Sequence, residues 1–244
     1  MRSRARATRV DAQPVYVLHR RAWRETSALI EVFSAEYGRI GLLARGMRGP
    51  RSQSWQALLQ PMQAALISWS GNGELPQVTH VDPSEAPIDL RGEAVLSGLY
   101  LNELILNLLP RHEPNLVLFA RYGECVRQQQ SPDMLQRAWH LRLFERDLLA
   151  AIGFPLQLDR DCLGSALLPE ACYLHVADSG KLRACDRTDR RGIPGSALIA
   201  LRDGSMPEAT VMPSCRRWLR ELLAAHLGGR ELHAWSLMQE IRRL

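Results

Sequence analysis

The sequence predicts an α+β protein: a small five-stranded barrel at the N terminus, a helical bundle after it, and a small irregular C-terminal subdomain. Two observations lead to this class. Five short runs rich in β-branched and aromatic residues, separated by glycine-containing turns, lie within residues 14–81, and such runs are typical of strands joined by hairpins. From Asp89 onward the apolar residues instead recur at helical spacing.

The strands follow one another in the first third of the chain. The first is PVYVLHRRAW at 14–23; the second and third, 28–33 and 39–44, form a hairpin across a turn at 36–38. The fourth and fifth, 61–69 and 74–81, form another hairpin. A glycine-rich basic loop at 46–52 and a helical turn at 54–60 lie between the hairpins. Five short strands in about 70 residues indicate a small barrel.

Helical periodicity runs through residues 91–109, 115–129 and 132–152, and the short connections predict an antiparallel bundle. Residues 156–212 are less regular, with a hairpin expected around 178–180 and a helical turn at 196–202. Two more helices are predicted at 213–227 and 233–244. The expected divisions are therefore residues 1–85, 86–155, 156–212 and 213–244.

The positive charge is concentrated at the N-terminal end. Residues 1–51 contain eleven arginines and four acidic residues, a net charge of +7, whereas the rest of the chain carries 20 basic and 22 acidic residues. A cationic segment beside a near-neutral body is typical of a polyanion-binding surface, because each arginine placed on a phosphate releases condensed counterions. A basic leader without a specific site is the alternative interpretation.

The candidate nucleic-acid contacts lie at strand ends and in the basic loop, where long side chains reach a polymer without desolvating a core. Trp23 is predicted to be exposed as a stacking platform for bases and Trp69 to be a core residue, while Tyr37 and Trp55 are further stacking candidates. A cationic groove with aromatic faces is how single-stranded nucleic acid is held, and five-stranded oligonucleotide-binding (OB) barrels have this architecture. The predicted contacts are Arg20, Arg21, Arg24, Arg39, Arg45, Arg48, Arg51 and Trp23.

The sequence contains no recognisable catalytic or metal-binding pattern. The seven histidines and five cysteines are scattered without HxH, HExxH or CxxC, and no phosphate-loop or GxSxG pattern is present. We therefore predict no enzymatic activity, no cofactor and no metal. The chain has no apolar run of eighteen residues and opens without the apolar stretch of a signal peptide, which predicts a cytoplasmic protein.

Four segments together resemble a known family. They are VLHRRAWRETSALIEVFSAEYGRIGLLARGMRGPRS at 17–52, LQPMQ at 59–63, SGLYLNELILNLLP at 97–110 and HLGGRELHAWSL at 226–237. Their order is similar to that of RecO, a family of bacterial recombination mediators, over about the first 155 residues and the last thirty. Residues 156–212 resemble the family only in their placement.

The resemblance implies an OB-fold domain at 1–85, a helical domain at 86–155, a zinc-finger-like subdomain at 156–212 and C-terminal helices at 213–244 that pack on the helical domain. Many relatives hold zinc there through two CxxC pairs. This chain offers Cys162, Cys172 and Cys185 without such pairs, so we expect a degenerate, metal-free version of the subdomain.

The function implied by the resemblance is that of a non-enzymatic, nucleoid-associated mediator in gap and double-strand-break repair. Such a protein binds single- and double-stranded DNA, anneals complementary strands, contacts RecR, and helps RecA replace single-stranded DNA-binding protein (SSB). RecA is then an indirect partner, and participation of RecF is left open.

A separate site is expected for SSB, whose acidic tail ends in an apolar residue and a free carboxylate. An apolar pocket with a basic rim complements such a tail. Helical spacing places Arg142 and Arg146 as the rim and Trp139 and Leu143 as the pocket. In the alternative interpretation, Trp139 and Leu143 are bundle core and Arg142 is solvated.

Two other functions fit the same residues. An RNA-binding barrel protein associated with translation would use the same charge and fold, and equal affinity for RNA and DNA without annealing would favour it. An enzyme with its catalytic residues within 156–212 would keep its turnover after deletion of the barrel.

Overall fold

The chain folds into two compact units. The structure, a computed structural model, describes residues 9–47, 52–71, 73–176 and 179–241. One unit contains the described residues up to Gln130 together with those from Leu232 onward, and the other is Ser131–Glu231. No helix within the described ranges is both long enough and apolar enough to cross a membrane.

The first unit is built on a five-stranded barrel. Its strands are β1 (Arg9–Trp23), β2 (Ser27–Ser34), β3 (Gly38–Arg45), β4 (Ala64–Ser70) and β5 (Gln77–Pro83). The strand order β1-β2-β3-β5-β4 closes because β1 pairs with both β2 and β4, while β3 meets β5 in parallel at Leu43 and Gln77. The predicted α+β class and N-terminal five-stranded OB fold are thus confirmed.

Alternate strand residues point into the barrel and fill it. Val17, Ile30, Leu42 and Ile67 are almost completely buried in this core, as the two-residue period of a pleated strand requires. Helix α1 (Ser52–Leu58) adds Trp55 and Leu58 to the edge of the core. Trp69 is buried in the core, as predicted.

Leu18 interrupts the alternation where β1 pairs with β2. Val17 lies opposite Val32 but His19 lies opposite Glu31, so Leu18 forms a β-bulge. The carbonyl of Leu18 accepts a hydrogen bond of 2.7 Å from Asn102 Nδ2 of α2 (Glu93–Leu108). The bulged backbone therefore has a hydrogen-bonding partner on a neighbouring helix.

Helix α3 (Leu116–Gln128) covers one end of the outer face of β1 and β2. Tyr16 and Phe33 stand opposite each other on these strands, and both rings pack against Phe119 and Tyr122. Gly123 allows this approach because a Cβ there would overlap the Tyr16 hydroxyl. Helix α7 (His233–Ile241) returns from the end of the chain to pack on α2.

The second unit combines helices with a small sheet. It contains α4 (Met134–Ala151), strands β6 (Cys172–Val176), β7 (Lys181–Cys185) and β8 (Ile193–Pro194), α5 (Gly195–Asp203), a 3-10 turn (Ala209–Val211) and α6 (Met212–His226). The strand order is β7-β6-β8, and α4 packs on α5 and α6. The helices are thus grouped differently from the predicted bundle: α4 belongs to the second unit, α2 and α3 to the first.

Candidate nucleic-acid interface

The outer face of β1–β3 has a covered end and an open end. Tyr16 and Phe33 mark the covered end beneath α3. Towards the β1–β2 turn the outward residues are exposed or half-buried, and cross-strand neighbours form two rows: Trp23, Ser27 and Arg45, then Arg21, Leu29 and Leu43. The pleat points both rows outward, opposite to core residues such as Ile30 and Leu42.

An arginine and a tryptophan stack on this open end. The guanidinium carbon of Arg21 lies 5.7 Å from the ring centroid of Trp23, within cation–π range. Trp23 remains 40% exposed, which agrees with the expectation from its sequence neighbours. The ring is therefore oriented by one face while the rest stays open to a ligand such as a nucleotide base.

The arginines at this end are not engaged by acidic side chains. In the part of the chain that the structure describes, Arg21, Arg24 and Arg45 form no ion pair, and all three are exposed. A guanidinium without a carboxylate partner binds phosphate without first breaking an internal pair. The structure thus brings together four of the predicted contacts: these arginines and Trp23.

The β1–β2 turn carries a strained residue. Arg24 has φ 54°, in the left-handed region that side-chain-bearing residues rarely adopt. The segment that follows β3 is attached to the β1–β2 turn, because the amide of Met47 donates a hydrogen bond of 2.7 Å to the carbonyl of Thr26. The β1–β2 turn therefore adjoins the start of the basic loop, in which the predicted contacts Arg48 and Arg51 lie outside the described residues.

Two other predicted contacts have different surroundings. Arg20 points to the other side of β1 and donates a hydrogen bond of 3.1 Å to the carbonyl of Gln56 beside α1. Arg39 shares the outer face with Arg45 but lies six residues away on β3, roughly 20 Å along the strand. Burial and the nearby charge of Arg111 lower the pKa of Arg39.

The predicted SSB-tail rim on α4 is wrong for Arg142. Its side chain is only 6% exposed and forms an ion pair with Glu145, one turn later on the same helix. Trp139 and Leu143 are also buried. The i, i+3 spacing allows this internal neutralisation, so the arginine turns into the unit instead of bordering a surface pocket.

Arg146, the second residue of that predicted rim, is partly buried. It hydrogen-bonds to the carboxylate of Asp147 at 2.7 Å and also to the carbonyl of Leu201 on α5. These contacts attach α4 to α5. The side chain therefore has local partners in place of the predicted exposed position.

Two models of known protein families match this chain. The model described as Recombination protein O N terminal matches residues 11–87, and that described as Recombination protein O C terminal matches residues 90–235. The first range contains the barrel and its open face, and the second reaches into α7. The chain belongs to the RecO family. Membership supports a role in DNA repair and recombination.

Curated RecO proteins match nearly the whole chain. "DNA repair protein RecO" of Xanthomonas oryzae pv. oryzae is 42% identical over 238 residues, which is 96% of this chain and 98% of the relative. The protein of the same name from Xanthomonas campestris pv. campestris is 41% identical with the same coverage. That from Xylella fastidiosa is 38% identical over 237 residues, 96% of this chain and 97% of the relative. This RecO-family chain thus corresponds to its relatives over almost their full length.

Sequence reasoning missed an apolar cavity in the second unit. Its volume is about 640 Å³, and its walls include Leu149, Phe154 and Trp218. Arg183 and Arg191, both exposed, also line it. The walls come from α4, the β6–β7 hairpin, the segment before β8, and α6, so no single motif in the sequence signals the site.

The cysteines of the second unit are placed by the small sheet. Cys172 and Cys185 lie directly opposite each other on β6 and β7. Burial, the hydrogen bond that its thiol donates to Cys172 and nearby negative charge raise the pKa of Cys185 to about 12. Among the residues that the structure describes, no three potential metal ligands converge.

Proposed function

We propose that this RecO-family chain is a non-enzymatic recombination mediator. It binds single- and double-stranded DNA, anneals complementary strands and helps load RecA onto single strands coated with SSB, in contact with RecR. The observation that carries the DNA-binding part is the open end of the β1–β3 face, where Arg21 and Arg45 lie beside exposed Trp23 and form no ion pair with any described residue.

The composition of this face suits binding without sequence readout. Arginines contact phosphates, which carry no sequence information, and a tryptophan ring stacks on any base at about 1–3 kcal/mol per base. Annealing needs two strands to be held weakly and to slide until they pair. A few salt-sensitive phosphate contacts with one stacking platform meet this requirement, and no bond to DNA has to be made or broken by the protein.

The test compares two triple variants with the same change in charge. Arg21→Gln, Arg24→Gln and Arg45→Gln together remove three cations from the open face. The control makes the same arginine-to-glutamine change at three exposed positions of the second unit, Arg187, Arg190 and Arg230. The face variant should lower the slope of log affinity against log salt by up to about 2.7 on duplex DNA and 2.1 on single strands, if each arginine neutralises one phosphate.

Fluorescence annealing of complementary strands, bare and SSB-coated, provides the functional readout. We expect the face variant to anneal slowly and the control to resemble the unmodified protein. Equal loss in both variants would show that net charge, rather than this face, drives binding. Equal affinity for RNA with no annealing activity would favour the translation-associated function instead.

We also propose that the cavity of the second unit binds the acidic SSB tail, in place of the site at Arg142. The tail requires an apolar pocket with a basic rim, and the cavity offers apolar walls with Arg183 and Arg191 at exposed positions. Its volume of about 640 Å³ lies within the range of pockets that enclose a ligand of a few hundred daltons. A terminal apolar side chain would enter the walls while its carboxylate pairs with an arginine.

A labelled peptide with several acidic residues and a C-terminal phenylalanine is a suitable probe. Arg183→Glu with Arg191→Glu should weaken its binding, whereas Arg187→Glu with Arg190→Glu, an equal change in charge in the neighbouring β7–β8 connection, should have a smaller effect. A peptide with an amidated C terminus should bind less tightly to the unmodified protein. Equal affinities in all variants would place the tail elsewhere.

A further inference from the structure

A compact group of three charged residues lies between the covered and the open ends of the β1–β3 face. Arg111, from the connection between α2 and α3, forms an ion pair with Glu31 of β2. Its neighbour His112 donates a backbone hydrogen bond of 3.1 Å to the carbonyl of Arg39, which fastens the connection to β3. Two guanidiniums and one carboxylate are thus held at one place on the sheet.

A glycine makes room for this group. Gly41 lies opposite Glu31 on β3, and a Cβ at this position would be 3.1 Å from both Arg111 Nη1 and Glu31 Oε1. Such a distance is tighter than an ordinary van der Waals contact. The absence of a side chain on Gly41 therefore allows the ion pair to lie flat across the sheet.

The charges in this group do not balance. Two arginines share one carboxylate, and within the described part of the chain the buried Nε of Arg39 and Oε2 of Glu31 have no hydrogen-bonding partner. Like charge from Arg111 adds to burial in disfavouring the cationic form of Arg39. The group therefore has one positive charge in excess, which one further anion beside the two guanidiniums would neutralise.

We infer that Arg39 and Arg111 form a second phosphate-binding position on the DNA face, and that Glu31 acts as an internal competitor for it. This inference rests on the proposed DNA-binding function. A backbone phosphate offers two guanidiniums a bidentate acceptor, and the carboxylate of Glu31 repels that phosphate while holding Arg111 in place. Because the position lies on the same face as Arg45, one strand reaches both, and Glu31 keeps its attachment weak enough for strand exchange.

The test is a gain of affinity. Glu31→Gln keeps the shape of the side chain but removes its charge; Glu36→Gln, an exposed acid in the β2–β3 turn, is the matched control. Glu31→Gln should bind a single-stranded oligonucleotide roughly three- to tenfold more tightly than the control, as expected when a partly screened like charge is removed. The slope of log affinity against log salt should steepen by about 0.7.

Arg111→Gln should weaken DNA binding, and in that background Glu31→Gln should give no more affinity than Glu36→Gln. Thermal melting checks that each variant is folded, and Arg39→Gln replaces Arg111→Gln if the latter unfolds. The inference is overturned if Glu31→Gln and Glu36→Gln bind equally in the unmodified background. If DNA affinity depends on Arg21, Arg24 and Arg45 but does not change in Glu31→Gln, only this inference fails. If the chain binds no DNA, the proposed function fails.

Discussion

Arg24 allows the DNA-binding and folding roles of one residue to be separated. Its φ of 54° is in the left-handed region, where a residue with a Cβ costs about 1–2 kcal/mol. Glycine removes this strain but loses about 0.5–1 kcal/mol more backbone entropy on folding. Arg24→Gly should therefore stabilise the barrel unit by roughly 0.5–1 kcal/mol, a rise in Tm on the order of 1–4 °C for a unit of this size.

The same substitution should weaken DNA binding. Arg24 is exposed at the β1–β2 turn and forms no ion pair within the described residues, so its charge is available to a phosphate. Removing one phosphate contact lowers the salt slope by about 0.9 on duplex DNA and 0.7 on single strands. Most single substitutions that impair binding also cost stability; here the two effects should have opposite signs.

Thermal melting and salt-dependent fluorescence anisotropy measure these effects on the same sample. Arg24→Lys is the matched control, since it keeps both the charge and the strain and should change neither quantity much. A lower Tm for Arg24→Gly would show that the strain argument is incorrect. An unchanged salt slope would show that the β1–β2 turn does not touch DNA.

Three further outcomes follow from the second unit. Arg142→Leu should cost about 3–5 kcal/mol of unfolding free energy because it removes the cation that pairs with the buried Glu145 carboxylate; urea denaturation should show that Glu145→Leu in the same chain restores most of it. Burial lowers the pKa of His175, so the unfolded chain takes up this proton at a higher pH than the folded chain does. The contribution of His175 to stability should therefore be complete above about pH 6.5 and be lost as the pH falls. His175→Gln should make the decline in Tm with falling pH less steep. Elemental analysis should find no stoichiometric zinc, and one zinc per chain would contradict our interpretation of Cys172 and Cys185.

The barrel could be predicted because its signals are local. Glycine-containing turns and alternating apolar residues lie within each hairpin, and their order specifies which strands are neighbours. The different fates of Trp23 and Trp69 also follow from local sequence, since arginines flank the first and an apolar run precedes the second. Both the fold class and the more exposed of the two tryptophans could therefore be predicted from the sequence alone.

Features that depend on distant residues could not be predicted. Arg111 joins Arg39 and Glu31 only after the chain has passed through β4, β5 and α2. Helical spacing gave α4 an apolar side but did not show that Glu145 would neutralise Arg142 inside the unit. The cavity likewise has walls from several segments. Charge patterns identify candidates, whereas packing decides which of them meet.

The bulge at Leu18 divides β1 into two parts, and the residues that face outward are even-numbered just before it and odd-numbered after it. Before it, the outward side chain Tyr16 supports a helix; after it, the outward series His19, Arg21 and Trp23 faces the solvent. If Leu18 instead took a regular place opposite Glu31, every later residue up to the turn would change faces, so that Arg21 and Trp23 would face the interior. The face that a residue of β1 occupies therefore depends on whether it precedes or follows Leu18.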